Sequence, residues 1–195
     1  MKNLKNKTAL ITGASGGIGL ALAHEMAKQG VHLVLVSRSE AKLQELAQKL
    51  SQEYSIQTRV IAADLSKPGE AARVFAETET QKIEIDLLIN NAGTGLIGPA
   101  IERNPAEALE MLELNVKALT ELSLLFAKKM AAKKSGAILN VASMVALMPV
   151  PFFAAYSASK SFVHTFSLAL RRELKPFGVR VSCLLPGYVK TNFDQ

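Results

Sequence analysis

The sequence predicts a doubly wound α/β fold, a parallel β-sheet with helices on both faces. Short apolar runs alternate with amphipathic helical stretches along all 195 residues. The strand-like runs are apolar throughout rather than alternating with period two, as strands covered on both faces are. Hydrophobic residues make up 49% and charged residues 21%, enough apolar surface for a globular core and too much for a disordered chain.

The elements follow in order. "TALIT" (8–12) is a buried strand ending in glycines, and Ile18 to Gln29 is a helix stopped by Gly30. "VHLVLV" (31–36) is a second, β-branched strand. Residues 39–52 form a helix with Ser39 as its N-cap and apolar residues at 43, 46, 47 and 50. "TRVIAAD" (58–64) is the third strand, and Pro68 lies near the start of a helix reaching Thr80. "IDLLIN" (85–90) is the fourth strand. Pro105 opens one long helix to about Lys133. "GAILNVAS" (136–143) is the fifth strand, 154–175 a helix stopped by Pro176, and "VRVSCLL" (179–185) the sixth strand. No Pro/Gly/Ser-rich linker interrupts this, so 1–195 reads as a single domain.

Composition narrows the function. The formal net charge is +6, but the basic residues are dispersed and Trp is absent, which disfavours a nucleic-acid surface. The single cysteine, Cys183, excludes an internal disulfide. It reads as an inert thiol in a strand and fits a reducing, cytoplasmic setting. The basic, apolar N-terminus imitates a signal peptide, yet it contains four glycines and reads as strand, turn and helix. No run of 18 apolar residues predicts a membrane span. His24, His32 and His164 lack metal-ligand spacing, so no metal is expected.

"TGASGGIG" (12–19) joins the first strand to the first helix. Its glycines permit a tight turn and let backbone N–H groups approach a pyrophosphate at the helix N-terminus. "YSASK" (156–160) places Tyr156 and Lys160 one helical turn apart. Alone, such a pair is a packed ring beside a snorkelling amine. A neighbouring cation, however, lowers a phenol's pKa toward the range useful for proton transfer.

Together these motifs resemble the short-chain dehydrogenase/reductase family. "TGASGGIG", "NNAG" (90–93), Ser143, "YSASK" and "PGYVKT" (186–191) stand in that family's order and spacing, over essentially the whole chain. The resemblance implies a Rossmann-type domain that binds a nicotinamide dinucleotide and interconverts a carbonyl and an alcohol on a small molecule. It implies Tyr156 as general acid/base, Lys160 as its tuner, Ser143 orienting the substrate oxygen and Asn115 kinking the long helix and completing a proton path. It assigns cofactor contacts to Gly13, Ser15, Gly17, Ile18, Gly19, Asp64, Asn90, Gly93, Tyr156, Lys160, Pro186, Val189 and Thr191. It also implies a homodimer or homotetramer.

Ser37 and Arg38 follow the second strand, where a carboxylate would favour NAD. An Arg there favours NADP(H) over NAD(H), although Gly16 stands where many NADP-dependent relatives carry a basic residue. "MVALMPVPFF" (144–153) is uncharged and suggests an apolar substrate. Family members continue past the position of Gln195 with a substrate loop and a further strand, so a C-terminal truncation is expected. The alternative reading is a non-catalytic dinucleotide-binding sensor or scaffold on the same fold.

Overall fold

A computed structural model describes residues 4–187. Its strands are β1 (Thr8–Thr12), β2 (His32–Ser37), β3 (Thr58–Ala62), β4 (Leu87–Asn90), β5 (Gly136–Val141) and β6 (Val179–Leu184). Its α-helices are α1 (Gly17–Lys28), α2 (Glu40–Tyr54), α3 (Glu70–Thr80), α4 (Pro105–Leu112), α5 (Leu119–Ala132) and α6 (Ala154–Leu174). All six strands are parallel in the order β3-β2-β1-β4-β5-β6. The chain winds outward from β1 to β3, then returns to β4 on the other side of β1. The strand ends around β1 and β4 therefore flank the crevice where such sheets bind ligands.

Side-chain alternation divides the core. Leu10, Val34, Ile61, Leu88, Ile138 and Val181 face a layer built by α3, α5 and α6. Ala9, Ile11, Leu33, Leu35 and Ile89 face α1 and α2 on the other side. Both faces are covered, which is why the strands read as unbroken apolar runs.

The structure differs from the sequence reading at several ends. β3 stops at Ala62 and β5 at Val141, short of Asp64 and Ser143, where the chain turns so that each side chain accepts from the backbone N–H two residues on. The third helix begins at Glu70, after Gly69 in the left-handed region with φ 83°. The long helix from Pro105 is interrupted where the resemblance implied a kink: a π-helical turn, Glu113–Ala118, separates α4 from α5. Asn115 lies within it and bonds outside the helix. Among the described residues no helix is long and apolar enough to cross a membrane.

Candidate active site

Two glycines of the first turn are required by geometry. Gly13 has φ 66°, and a Cβ there would lie 2.9 Å from the Ala92 Cα. A Cβ on Gly19 would lie 2.2 Å from the Gly13 carbonyl oxygen. The first turn of α1 thus packs directly on the end of β1, and its leading amides, which have no partner within the helix, point off the sheet. Among the described residues nothing lies within 4 Å of a Cβ on Gly16, which leaves room for a ligand at this rim. Ser15 and Ile18 are half-buried in the same turn.

The end of β4 braces this turn. Thr12 Oγ1 accepts from the N–H groups of Asn91 (3.0 Å) and Ala92 (2.9 Å). The Asn91 amide nitrogen donates to the carbonyls of Thr12 (3.0 Å) and Gly13 (3.3 Å). Sequence reasoning singled out Asn90 and passed over Asn91. The Asn90 side chain instead turns into the helical layer, where its amide nitrogen donates to Ser123 Oγ and Asn140 Oδ1, each at 2.9 Å. The period-two rule carried the signal: Asn90 shares the face of Leu88, which packs against the helices.

Gly93 is where the separate motifs meet. A Cβ there would lie 3.0 Å from Asn115 Oδ1 and 3.4 Å from Lys160 Nζ. Asn115 grips the next residue as a strand would. Its Oδ1 accepts from Thr94 N–H at 3.0 Å, and its Nδ2 donates to the Thr94 carbonyl at 2.9 Å and to Ser159 Oγ at 3.2 Å.

Lys160 is 4% exposed, and its Nζ donates to the Val141 carbonyl at 3.1 Å. Burial lowers its pKa from 10.5 to about 8. The ammonium stands 5.8 Å from the Tyr156 ring centroid. Tyr156 is buried, and Phe153 packs on it with ring centroids 6.1 Å apart. Ser143 caps a short 3₁₀ turn at Met144–Leu147, with Val145 N–H to Ser143 Oγ at 3.4 Å. The Pro186 carbonyl accepts from Met144 N–H at 3.0 Å, which ties the ends of β5 and β6 together. Val189 and Thr191 lie outside the described residues.

The β2 and β3 ends form the other flank. Arg38 is exposed and follows Ser37, whose buried hydroxyl has no partner among the described residues. Asp64 Oδ1 accepts from the N–H (3.1 Å) and hydroxyl (2.7 Å) of Ser66. Burial alone would raise the Asp64 pKa. The Ser66 bonds, with Arg38 and Lys67 nearby, outweigh it and hold the carboxyl below its usual range.

Sequence reasoning also missed a strap across the rim. Gly98 N–H donates to the Phe152 carbonyl at 2.9 Å. Phe152 is 60% exposed and has φ 67°, a strained value for an aromatic residue. Among the described residues no group of three or more His, Cys, Asp or Glu could hold a metal ion.

Comparison with known proteins identifies the family. The profile of the short chain dehydrogenase family matches residues 7–195. The very-long-chain 3-oxoacyl-CoA reductase-B of Danio rerio is 33% identical over 193 residues, covering 97% of this chain and 61% of that protein. A short-chain dehydrogenase from Sphingobium yanoikuyae, solved in complex with NADPH, superposes with TM-score 0.92 at 35% identity, covering 96% of this chain and 73% of that one. L-sorbose reductase from Gluconobacter frateurii, complexed with NADPH and L-sorbose, gives TM-score 0.91 at 33% identity, covering 97% and 72%. The chain belongs to the short-chain dehydrogenase/reductase family. It spans about three-fifths of the length of the 3-oxoacyl-CoA reductases it matches.

Proposed function

We propose that the chain is an NADP(H)-dependent oxidoreductase that interconverts a carbonyl and an alcohol on a small, apolar substrate. The observation that carries this is the convergence at Gly93. There the missing side chain leaves Asn115 and the buried Lys160 ammonium close together, with Tyr156 one helical turn from the lysine.

The residues present fit the cofactor. Gly13 and Gly19 leave the close-packed turn that a pyrophosphate needs, with α1 amides directed at it. The unpartnered Ser37 hydroxyl beside Arg38 suits a 2′-phosphate, since Arg offers a fork of donors and Ser a further one. Asp64 would border the adenine, and Gly93, Lys160 and Pro186 the nicotinamide end. When bound, the dinucleotide supplies the hydride.

The protein supplies orientation and the proton. Ser143 holds the substrate oxygen by a hydrogen bond, and Tyr156 donates a proton to it as the alcohol forms. Lys160 is largely protonated at neutral pH, since its pKa of about 8 lies above it. Its charge favours the phenolate and makes Tyr156 a better donor. Asn115 fixes the wall at Thr94 beside Lys160 and borders the route by which Lys160 passes a proton to the Tyr156 phenolate and takes its replacement from solvent. The exposed Ile97, Met148 and Phe152 favour an apolar carbonyl compound.

The test is NADPH consumption across a panel of apolar aldehydes and ketones, with NADH in parallel. We expect turnover with preference for NADPH, and a fall in kcat of about 100-fold or more in Tyr156→Phe with cofactor affinity retained. Cofactor binding without turnover, unchanged by Tyr156→Phe, would instead identify a dinucleotide-binding sensor or scaffold.

A further inference from the structure

Four buried polar side chains outside the site form one hydrogen-bonded ladder across the sheet. Asn90 and Asn140 are register partners on β4 and β5. Asn90 Nδ2 donates to Ser123 Oγ on α5 and to Asn140 Oδ1, both at 2.9 Å. Asn140 Nδ2 donates to Ser167 Oγ on α6 at 2.9 Å, and Ser167 Oγ donates onward to the Val163 carbonyl at 2.6 Å. None of the four is more than 2% exposed.

The helices so joined carry the site. α5 continues from the π turn that holds Asn115, and α6 carries Tyr156 and Lys160. Ser167 lies two turns beyond Lys160 on the same buried stripe. The rest of that stripe below Lys160 is Val163, Leu170 and Leu174. Apolar packing is non-directional and sets a helix's rotation and axial position weakly. A hydrogen bond in a dry interior sets both, because breaking it strands a buried donor. The following residue, Val141, accepts the Lys160 ammonium through its carbonyl. Consecutive residues of β5 therefore read α6 at two heights, Asn140 through Ser167 and Val141 through Lys160.

The geometry points to Asn140 and Ser167 as positioning residues, with Asn90 and Ser123 extending their grip to α5. Together they fix the rotation of α6 so that the Tyr156–Lys160 pair it carries keeps facing the Gly93 gap. This inference rests on the proposed oxidoreductase function only for its kinetic readout.

Ser167→Ala is the mildest break and Asn140→Ala the stronger one. Each is expected to lower kcat about tenfold or more while the Kd for NADPH stays within about twofold. Ser167→Thr keeps the hydroxyl and is expected to restore kcat. Unchanged kcat in Ser167→Ala beside a lowered Tm would overturn the inference and leave the ladder merely structural. A second readout needs no turnover. The phenolate absorbance of Tyr156, taken as the difference from Tyr156→Phe, is expected to appear at a different pH in Ser167→Ala, because the pair turns out of the gap at Gly93 and its surroundings change. Identical titrations would overturn the inference even if the protein proves to have no reductase activity. Absence of turnover in the wild type, with the titration displaced as expected, would instead refute the enzymatic reading alone.

Discussion

Burial makes Lys160 both useful and costly. Its pKa of about 8 leaves it charged at neutral pH, close to the range where a proton relay exchanges readily. The same burial penalises the folded state. The unfolded chain holds this proton up to the ordinary value of 10.5, whereas the folded protein releases it near 8. Between those values the unfolded state binds more protons, so stability rises with pH. Below pH 8 the cost is fully present and on the order of 3 kcal/mol. Lys160→Met is therefore expected to be at least as stable as the wild type at pH 7, and inactive. Urea unfolding from pH 7 to 10.5 checks this: the advantage of the variant should shrink as pH rises, and a constant difference would refute the argument. A residue that improves stability when removed marks a site held against the preference of the core.

At the scale of elements, Asn115 explains the interrupted long helix. Read from the residues alone, 105–133 is one helix opened by Pro105, and the family resemblance adds a kink at Asn115. The Asn115 side chain bonds both backbone groups of Thr94, and the π turn at Glu113–Ala118 accompanies that reach. Local propensity could flag Asn as an uncomfortable mid-helix residue. It could not name the partner, which lies 21 residues away on a loop. For the same reason the glycine turn, Ser143, Tyr156 and Lys160 were legible in local motifs, while the Gly98–Phe152 strap and the Asn140–Ser167 bond were not. Asn115→Leu is expected to lose the Thr94 and Ser159 bonds, at a cost of about 1–3 kcal/mol. Amide exchange at Thr94 should accelerate, because Asn115 Oδ1 is its acceptor. Exchange unchanged at Thr94 would show that the loop is held by other means.

At the scale of the whole molecule, the two ends of the sheet carry different duties. The carboxyl ends of the strands hold the candidate site, and the amino ends hold an ion cluster around Asp86. Its carboxylate accepts from Thr8 N–H at 3.1 Å, Lys7 Nζ at 3.2 Å and Lys133 Nζ at 3.1 Å. That joins β1, β4 and the end of α5. Several of the dispersed basic residues thus end in ion pairs within the fold, Lys7 and Lys133 with Asp86 and Lys129 with Glu79. Burial would raise the Asp86 pKa, but the Thr8 amide and the ammonium groups of Lys133 and Lys7 outweigh it and hold the value low. The stabilisation is present above the unfolded carboxylate pKa and is lost as pH falls through the lower folded value. Asp86→Asn is expected to cost about 1–3 kcal/mol at pH 7. Denaturant midpoints of the two proteins should converge below about pH 4. A gap of the same size at pH 3 and pH 7 would show that packing, not charge, sets the effect. Because Asp86 lies at the opposite end of the sheet from Tyr156 and Lys160, NADPH affinity of the folded variant should be unchanged at pH 7. A loss of affinity there would mean that the two ends of the sheet are coupled.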